Sequence, residues 1–217
     1  MRTVSIDGPA GAGKSTIAKL VAKELGAIYI DTGAMYRAMA LYMLRNNIDT
    51  SNENDVIFNC SNVDITIKFE NGEQVVCLNG ENVNGYIRNE EVGNAASTVS
   101  KYIPVRQKLV SLQREIAKNQ SVVMDGRDIG TVVLPNANPK IFLTASSKER
   151  ARRRTEELKS KGLFVSIDDI EKDIIERDYQ DMNREVSPLK KAPDGIEIDS
   201  SNMSIEQVKD EIIKLCK

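Results

Sequence analysis

Short apolar runs alternate with amphipathic stretches over the first 45 residues of the chain. Residues 3–7 and 27–31 are apolar runs that predict short strands. Residues 15–25 contain neither glycine nor proline, and their apolar side chains form one helical stripe: Ile17, Leu20, Val21 and Leu25. Residues 34–45 predict a second helix. Strands that alternate with helices in this way predict the beginning of a parallel α/β sheet.

The period of the pattern changes near residue 60. From residue 63 to 70, every second position is apolar, which is typical of a half-buried antiparallel strand: Val63, Ile65, Ile67 and Phe69. Asn71-Gly72 and Asn79-Gly80 separate the next two runs, residues 73–78 and 81–83, and Asn-Gly at such places favours hairpins. We therefore predict a three-stranded antiparallel meander, inserted at about residues 60–90 into a parallel core.

The rest of the chain again predicts strands and helices. The predicted strands are residues 121–125, 140–145 and 195–199, and the predicted helices are 89–100, 104–118, 147–161, 167–184 and 204–215. In the helix 104–118, an apolar face is predicted from Val105, Leu109, Leu112 and Ile116, with Arg106 and Arg114 off that face. Ser204 and Gln207 have the spacing of a capping box.

Composition narrows the classes of protein that fit. The net charge of −2 gives no general attraction to nucleic acid or to an anionic membrane, and aromatic residues make up only 5% of the chain. No apolar run approaches the ~20 residues of a membrane helix, and no signal-peptide pattern opens the sequence. Three cysteines without CxxC spacing favour free thiols in a reducing compartment. We therefore expect a cytoplasmic protein without nucleic-acid or membrane partners. No large apolar surface stripe is evident in the sequence, so we expect a monomer.

A complete phosphate-loop signature follows the first predicted strand. It reads Gly8-Pro9-Ala10-Gly11-Ala12-Gly13-Lys14-Ser15-Thr16. Glycines let backbone N–H groups surround an anion, and the next helix directs its positive end to the same place. Lys14 can reach the β- and γ-phosphates, and the Ser15 hydroxyl can bind Mg²⁺. The chain has no histidine, which phosphoryl transfer tolerates because its catalysis is mostly positioning and charge neutralisation.

Further charged residues follow other predicted strands. Asp125 ends an apolar strand and could hold the Mg²⁺ shell beside the phosphate loop. Arg127 and Asp128 come next, at the edge where parallel sheets bind ligands, although a glycine-rich turn with solvated charges has the same pattern. Arg37 lies in the first turns of its helix and could bind a second phosphate group, or could be an ordinary surface arginine.

Two helices carry clustered arginines. Four arginines lie within five positions, which indicates either a solvated basic helix or a lid that closes over phosphates: Arg150, Arg152, Arg153 and Arg154. In the next helix, Arg177, Asp181 and Arg184 are spaced by four and then three residues, so they share one face. The spacing alone also fits a local ion pair.

Together these motifs resemble the bacterial cytidylate kinase family of nucleoside-monophosphate kinases. The resemblance runs from end to end, and the segments that carry it, besides the phosphate loop, are residues 6–9, 31–37, 94–97, 125–133, 140–146, 176–178, 183–184 and 188–189. It implies an α/β P-loop fold, with a five-stranded parallel sheet in the order 2-3-1-4-5, flanked by helices and carrying a small antiparallel insert. The single domain of residues 1–217 would comprise a core of 1–59 and 91–217, a monophosphate-binding insert at about 60–90 and a lid at about 148–165.

The resemblance also implies the reaction and the residues that perform it. ATP would phosphorylate CMP or dCMP with Mg²⁺, and catalysis would involve Lys14, Arg127 and Arg184. The ATP phosphates would lie on Gly8, Pro9, Ala10, Gly11, Ala12, Gly13, Lys14, Ser15 and Thr16. The CMP site would contain Thr32, Arg37, Ser97, Arg106, Arg127, Asp128, Arg177, Asp181 and Arg184. Lid residues would be Arg150, Arg153 and Arg154, and the metal would bind Ser15 with Asp125 in the outer shell.

Within the CMP site, the resemblance assigns three tasks. Ser97, Arg106 and Asp128 would contact the cytosine edge. Arg177 and Asp181 would hold the sugar, and Arg37, Arg127 and Arg184 would clamp the acceptor phosphate.

Two alternatives stay open at this level. One is a kinase for another small acceptor, such as UMP and CMP jointly or a non-nucleotide acid. The other is a nucleotide-gated switch, although the sequence has no Asn-Lys-x-Asp guanine motif.

Overall fold

The computed structural model describes residues 1–70, 72–160 and 162–217. Two predictions touch the remaining positions: Asn71 belongs to a predicted turn and Lys161 to the predicted basic helix and lid, and both lie outside the described residues.

Helices and strands occur close to the predicted positions. In chain order they are β1 (Thr3–Asp7), α1 (Lys14–Leu25), β2 (Ile28–Asp31), α2 (Thr32–Arg45), α3 (Glu53–Cys60), β3 (Ile65–Glu70), β4 (Glu73–Leu78), β5 (Glu81–Asn82), α4 (Glu90–Val99), α5 (Ile103–Ala117), β6 (Val122–Gly126), β7 (Lys140–Thr144), α6 (Ser147–Ser160), α7 (Ile167–Asn183), β8 (Ile196–Asp199) and α8 (Ile205–Leu215). The sequence pattern does not predict the short α3, nor the π-helical turn at Ile129–Val133.

The predicted parallel sheet is confirmed. Its order is β2-β6-β1-β7-β8, which is the order 2-3-1-4-5 when its strands are counted along the chain. β1 pairs in parallel with both β6 and β7, and β7 pairs in parallel with β8. All five residues of β6 are buried, as expected for a strand that is covered on both faces.

The chain divides into two compact units. Unit 1 comprises Met1–Ala27 and Ser121–Lys217, and unit 2 comprises Ile28–Gln120. In unit 1, the capping box predicted at Ser204 and Gln207 is present at the beginning of α8. None of the helices in the described part of the chain is long and apolar enough to cross a membrane.

Unit 2 contains the predicted meander. β3 pairs antiparallel with β4 in a register that joins Ile65 to Leu78, and β4 pairs antiparallel with the two-residue β5. Alternate residues of β3 are exposed, as the period of two predicts. The core of this unit includes three fully buried methionines that recur every four residues along α2: Met35, Met39 and Met43.

The prediction for the buried face of α5 is wrong in one respect. The helix buries Arg106 along with Val105, Leu109, Val110 and Gln113, whereas Leu112 and Ile116 are only half-buried. Arg106 is 4% exposed, and its Nη1 donates to the carbonyl of Ser100 at 3.1 Å. Its guanidinium also lies 5.6 Å from the centroid of the Tyr36 ring. Because a carbonyl and an aromatic face stabilise its cation, Arg106 can lie on the buried face.

Candidate active site

The phosphate loop has the backbone that its sequence predicts. Gly8 has a φ of 147°, and a Cβ built there would lie 1.9 Å from the carbonyl oxygen of Leu143, so the position accepts only glycine. Gly13 is the N-cap of α1 with a φ of 85° and offers no side-chain cap. The first N–H groups of α1 are therefore available to an anion at this end of the helix.

Lys14 is buried within its own loop. Its Nζ donates to the carbonyl oxygen of Pro9 at 2.6 Å, and the residue is 6% exposed. Burial, and next the charge of Arg127, lower the pKa of Lys14 to about 7, although nearby carboxylates act in the opposite direction. A buried cation of this kind is stabilised when an anion reaches it.

Ser15 and Asp125 place two oxygen atoms side by side. The Ser15 Oγ donates to Asp125 Oδ2 at 2.8 Å, and Asp125 lies one residue before the end of the buried strand β6, close to the predicted strand end. Hydroxyl and carboxylate oxygens are ligands that suit Mg²⁺. The described residues contain no cluster of three or more His, Cys, Asp or Glu side chains able to hold a metal. The oxygens of Ser15 and Asp125 fit an ion that keeps several waters and takes further ligands from a substrate's phosphates.

A cluster of arginines and carboxylates lies at the end of α7. Arg127 Nε donates to Asp181 Oδ2 at 2.8 Å. Arg184 places its Nη2 3.7 Å from Asp128 Oδ1 and its Nη1 3.9 Å from Asp181 Oδ1, and its Nε donates to the carbonyl of Ser187 at 2.6 Å. The structure thus joins residues from two distant segments, which a local ion pair within α7 would not do.

The cluster shifts the pKa values of its members. Burial acts to raise the pKa of Asp181, but the charge of Arg127 outweighs it and the pKa lies below its usual value. Burial, and next the charge of Arg127, lower the pKa of Arg177. Since three arginines share one buried region, an anionic ligand would relieve their mutual repulsion.

No role for Asp7 is predicted from the sequence, but the structure gives it one. Its two carboxylate oxygens accept the N–H groups of Ile129 and Gly130, each at 2.7 Å, so it fixes the turn that follows Asp128. Burial raises the pKa of Asp7 to about 6, above the range of an unfolded aspartate. The only signal in the sequence is an acid at the end of a strand, directly before the phosphate loop.

We expect this shift to appear in the pH dependence of stability. Because the folded pKa lies above the unfolded one, the folded state holds the proton more tightly, and the free energy of unfolding falls as pH rises from about 4 to about 6. Between pH 5 and pH 7, wild type should therefore lose about 1 kcal/mol more than Asp7→Asn. Urea denaturation at the two pH values measures this difference, and equal losses in both proteins would contradict it.

The four arginines of α6 occupy different surroundings. Arg150 is 5% exposed: its Nη1 donates to the carbonyl of Ala10 and its Nε to that of Ala145, both at 2.9 Å, and it pairs with Asp178 at 2.7 Å. It therefore anchors the beginning of α6 to the phosphate loop and α7. Arg152, with a side chain 51% exposed, fits the hypothesis of a solvated basic helix.

The other two arginines of α6 each pair with a glutamate of the same helix. Arg153 pairs with Glu149 at 2.9 Å and donates to the carbonyl of Ser200 at 2.7 Å. Arg154 pairs with Glu157 at 2.9 Å, and its charge contributes to the lowered pKa of Arg177. Arg154 is thus a predicted lid arginine whose charge acts on Arg177 in the cluster at α7.

Unit 2 contains the other predicted CMP residues. Thr32 begins α2 and is buried, with Arg37 further along the same helix. Ser97 lies half-buried on α4, near Ser100, whose carbonyl accepts Arg106. The ring of Tyr36 lies against Arg106, so α2, α4 and α5 hold these side chains within one unit.

Comparison with known proteins gives the family. A family model described as cytidylate kinase matches residues 4–217. The cytidylate kinase of Alkaliphilus oremlandii is 53% identical over 214 residues, which cover 99% of this chain and 97% of that protein. The cytidylate kinase of Caldicellulosiruptor bescii is 52% identical over 212 residues, which cover 98% of this chain and 94% of that protein.

Solved structures give the same fold at low sequence identity. A crystal structure of an uncharacterized protein from Eubacterium ventriosum has a TM-score of 0.53 and 12% identity, and covers 100% of this chain and 98% of that chain. A gluconokinase from Sinorhizobium meliloti has a TM-score of 0.50 and 12% identity, with coverage of 99% and 91%. At this identity the likeness concerns the fold alone.

The family decides between the alternatives that the motifs left open. A match that spans residues 4–217, together with relatives at about half identity over nearly the full chain, favours a kinase over a nucleotide-gated switch. It also confirms the resemblance drawn from the phosphate loop and the later motifs. The chain belongs to the cytidylate kinase family and is a nucleoside-monophosphate kinase.

Proposed function

We propose that the protein transfers the γ-phosphoryl group of ATP to CMP and dCMP, which yields CDP or dCDP together with ADP. Family membership supports CMP and dCMP as the phosphate acceptors, and one observation of the site supports phosphoryl transfer. Burial is the largest cause of the lowered pKa of Lys14, and the charge of Arg127 is the second. The cations of two separate motifs, the phosphate loop and residues 125–133, therefore act on each other in one buried region. A transferring phosphoryl group is the anion that such a pair would stabilise.

The donor half of the proposal concerns the phosphate loop. The kinase family implies ATP as the phosphate donor. We assign its phosphates to residues 8–16, with Lys14 directed at the β- and γ-phosphates in place of its present partner, the carbonyl of Pro9. We assign Mg²⁺ to Ser15, with Asp125 in the outer shell, because these oxygens lie 2.8 Å apart. When bound, the ion neutralises charge on the phosphate oxygens.

The acceptor half assigns a task to each arginine. In unit 1, Arg127 and Arg184 would clamp the acceptor phosphate, while Arg177 and Asp181 would hold the sugar. Arg37 would bind the acceptor phosphate and Thr32 would belong to the CMP site. Ser97, Arg106 and Asp128 would read the cytosine edge. The contacts between carboxylates and arginines in unit 1 support the phosphate clamp, because Arg127 and Arg184 are already oriented.

The chemical step needs no strong general base. An anionic oxygen of the CMP phosphate attacks the γ-phosphorus; the new P–O bond forms as the bond to the β-phosphate oxygen breaks, and ADP carries away that electron pair. Lys14, Arg127 and Arg184 stabilise the negative charge on the oxygens of the phosphoryl group while it is transferred. A closed lid would exclude water and so suppress hydrolysis of ATP.

The acceptor assay tests this proposal directly. ADP formation from Mg·ATP is measured with CMP, dCMP, UMP, AMP and GMP offered separately, and with no acceptor as the blank. We expect turnover that strongly favours CMP and dCMP. The comparison of CMP with UMP, which differs in its base, tests the residues assigned to the cytosine edge. Turnover that ignores the acceptor would exclude the kinase reaction.

We further propose that the enzyme works as a cytoplasmic monomer without nucleic-acid or membrane partners. The net charge of −2 and the three buried free thiols support this. Light scattering at assay concentration tests the monomer, since a doubled mass would contradict it.

Among the lid arginines, we expect Arg154 to matter for transfer. Replacing Arg154 with alanine removes a charge that already acts on the cluster at α7, so kcat should fall by roughly 10–100-fold. Arg152→Ala is the matched control, because Arg152 lies on the same helix and pairs only with glutamates of that helix in the contacts found, at 2.8 and 2.5 Å. Steady-state kinetics with saturating ATP and CMP compare the two variants, and equal kcat values would contradict the role of Arg154.

A further inference from the structure

Asp7, the last residue of β1, holds both ends of the short segment formed by Arg127 and Asp128. In the parallel pairing of β1 with β6, Asp7 lies opposite Gly126, the residue directly before this segment. The two carboxylate oxygens of Asp7 accept the N–H groups of residues 129 and 130, directly after it, each at 2.7 Å. One residue of β1 therefore fixes the backbone on either side of two residues assigned to the acceptor nucleotide.

The carboxylate of Asp7 does the work of a helix cap for the turn that follows. In this fully described turn, Ile129–Val133, the N-cap is Asp128, and its own side chain makes no capping hydrogen bond. Asp7 supplies from β1 the oxygen atoms that an N-cap side chain usually supplies. The Asp128 carboxylate is therefore not needed for the cap, and its Oδ1 lies 3.7 Å from Arg184 Nη2 instead.

The same turn packs closely against the sheet. A Cβ built on Gly130 would lie 2.8 Å from Ser5 Oγ, on β1, and 3.2 Å from Lys140 Cδ, at the beginning of β7. Ser5 is fully buried and Asp7 is 4% exposed. In a region packed this closely, an N–H group that loses its acceptor regains one only if the turn moves.

We propose that Asp7 is a positioning residue that places the Asp128 carboxylate at the base of the acceptor nucleotide. The inference rests on the proposed function, in which Asp128 contacts the cytosine edge. A carboxylate accepts a hydrogen bond from the amino group of cytosine, whereas uracil has a carbonyl oxygen at that place and repels it. If the turn is released, Asp128 moves from its place and the enzyme distinguishes the two bases less well.

The expected signature is a fall in the CMP/UMP ratio, which we define as kcat/KM with CMP divided by kcat/KM with UMP. Asp7→Asn keeps the shape of the side chain but replaces one oxygen with an NH₂ group, so that two donors face each other. The CMP/UMP ratio should fall by roughly 10-fold, the effect of one hydrogen bond to a charged group. The Kd of ATP without acceptor should change less than about threefold, because Lys14 and the first N–H groups of α1 remain.

The ratio separates this role from a merely structural one. Partial unfolding lowers the rates with CMP and UMP equally, so it leaves the CMP/UMP ratio unchanged. The same holds for an effect through Lys14, whose charge acts on Asp7, because both reactions use ATP. Asp128→Asn should lower the ratio by itself, and adding Asp7→Asn to it should then change the ratio less than about twofold.

Two further variants serve as a control and as a second test. Ile212→Val removes one methyl group from a fully buried side chain of α8, so it should lower the melting temperature and leave the CMP/UMP ratio unchanged. Gly130→Ala places a Cβ against Ser5 and displaces the same turn without altering Asp7, so it should lower the ratio as Asp7→Asn does. Melts of each preparation show which variants are folded.

The outcomes distinguish failure of the inference from failure of the proposed function. A wild-type protein that is inactive with CMP, or that does not favour CMP over UMP, would overturn the proposed function. With a wild type that favours CMP, an unchanged ratio in Asp7→Asn, or in Gly130→Ala if Asp7→Asn does not fold, would overturn this inference alone. A 10-fold fall that persists in the Asp128→Asn background would also overturn it, and so would an Asp128→Asn protein with the wild-type ratio.

Discussion

Lys14→Ala is expected to lower kcat by roughly 10²–10³-fold, because one preorganised charge directed at a transferring group contributes about that much. Lys14 is 6% exposed and donates to the carbonyl of Pro9, so its ammonium already lies within the phosphate loop before it exchanges this partner for the phosphates. In the proposed mechanism, its charge lies on the β- and γ-phosphate oxygens in the transition state. An alanine offers no cation there, and neither Ser15 nor the backbone N–H groups can supply one.

The fold should survive this substitution. Burial lowers the pKa of Lys14 to about 7, which means that burying the charged ammonium costs free energy in the folded state. Removing the side chain abolishes that cost, and we expect a melting temperature at or above that of wild type. Circular dichroism melts and the ADP assay, run on the same preparations, compare stability with turnover.

Lys23→Ala serves as the control for Lys14→Ala. Lys23 lies on the same helix α1, in its exposed last turn, and should leave kcat unchanged. A Lys14→Ala protein that folds and turns over at near the wild-type rate would remove Lys14 from the mechanism. A protein that loses activity only because it unfolds would show it in the melt.

Features encoded in a few neighbouring residues could be predicted from the sequence. The phosphate loop can be predicted from the sequence of residues 8–16 alone. The meander can be predicted from the alternation of apolar residues and the Asn-Gly turns within residues 63–83. The strand order of the sheet came from the family resemblance, because no local pattern determines which parallel strands become neighbours. The short α3 escaped prediction because its eight residues bury only Val56 and Cys60, too few to establish a helical period.

Roles that depend on distant partners could not be predicted. Arg150 contacts Ala10, 140 positions away, and Asp7 binds the N–H of Ile129, 122 positions away. Arg106 was placed off the buried face because a charged side chain normally faces solvent, and no sequence rule places the Tyr36 ring over it.

The arginine cluster of unit 1 leads to the second prediction with a large effect. Arg184→Ala should raise KM for CMP and lower kcat, so that kcat/KM for CMP falls by roughly 10²-fold or more, while the affinity for ATP changes less than about threefold. Arg184 stands 3.7 Å from Asp128 and 3.9 Å from Asp181, the two carboxylates assigned to base and sugar. Its Nε is held by the carbonyl of Ser187, which orients the remaining nitrogen atoms.

The direction of this effect follows from the charges that remain. Without Arg184, Asp181 keeps the charges of Arg127 and Arg177, but Asp128 loses a nearby cation. The acceptor phosphate would then meet two carboxylates and fewer positive charges, which opposes its binding. The phosphate loop keeps Lys14 and the N–H groups of α1, so ATP should bind nearly as before.

Separate measurements of the two ligands make the prediction decisive. Calorimetry gives the Kd of ATP without acceptor, and initial rates with CMP varied at saturating ATP give kcat and KM. Lys190→Ala, an exposed cation six positions further along the chain, is the matched control and should change neither ligand. Equal losses for ATP and CMP would mean that Arg184 supports the whole site rather than the acceptor phosphate. A loss confined to CMP would instead show that the donor and acceptor phosphates are bound by separate groups of cations. Lys14 and the phosphate loop would bind the donor, and the arginines would bind the acceptor. Phosphoryl transfer would then occur where these two groups meet.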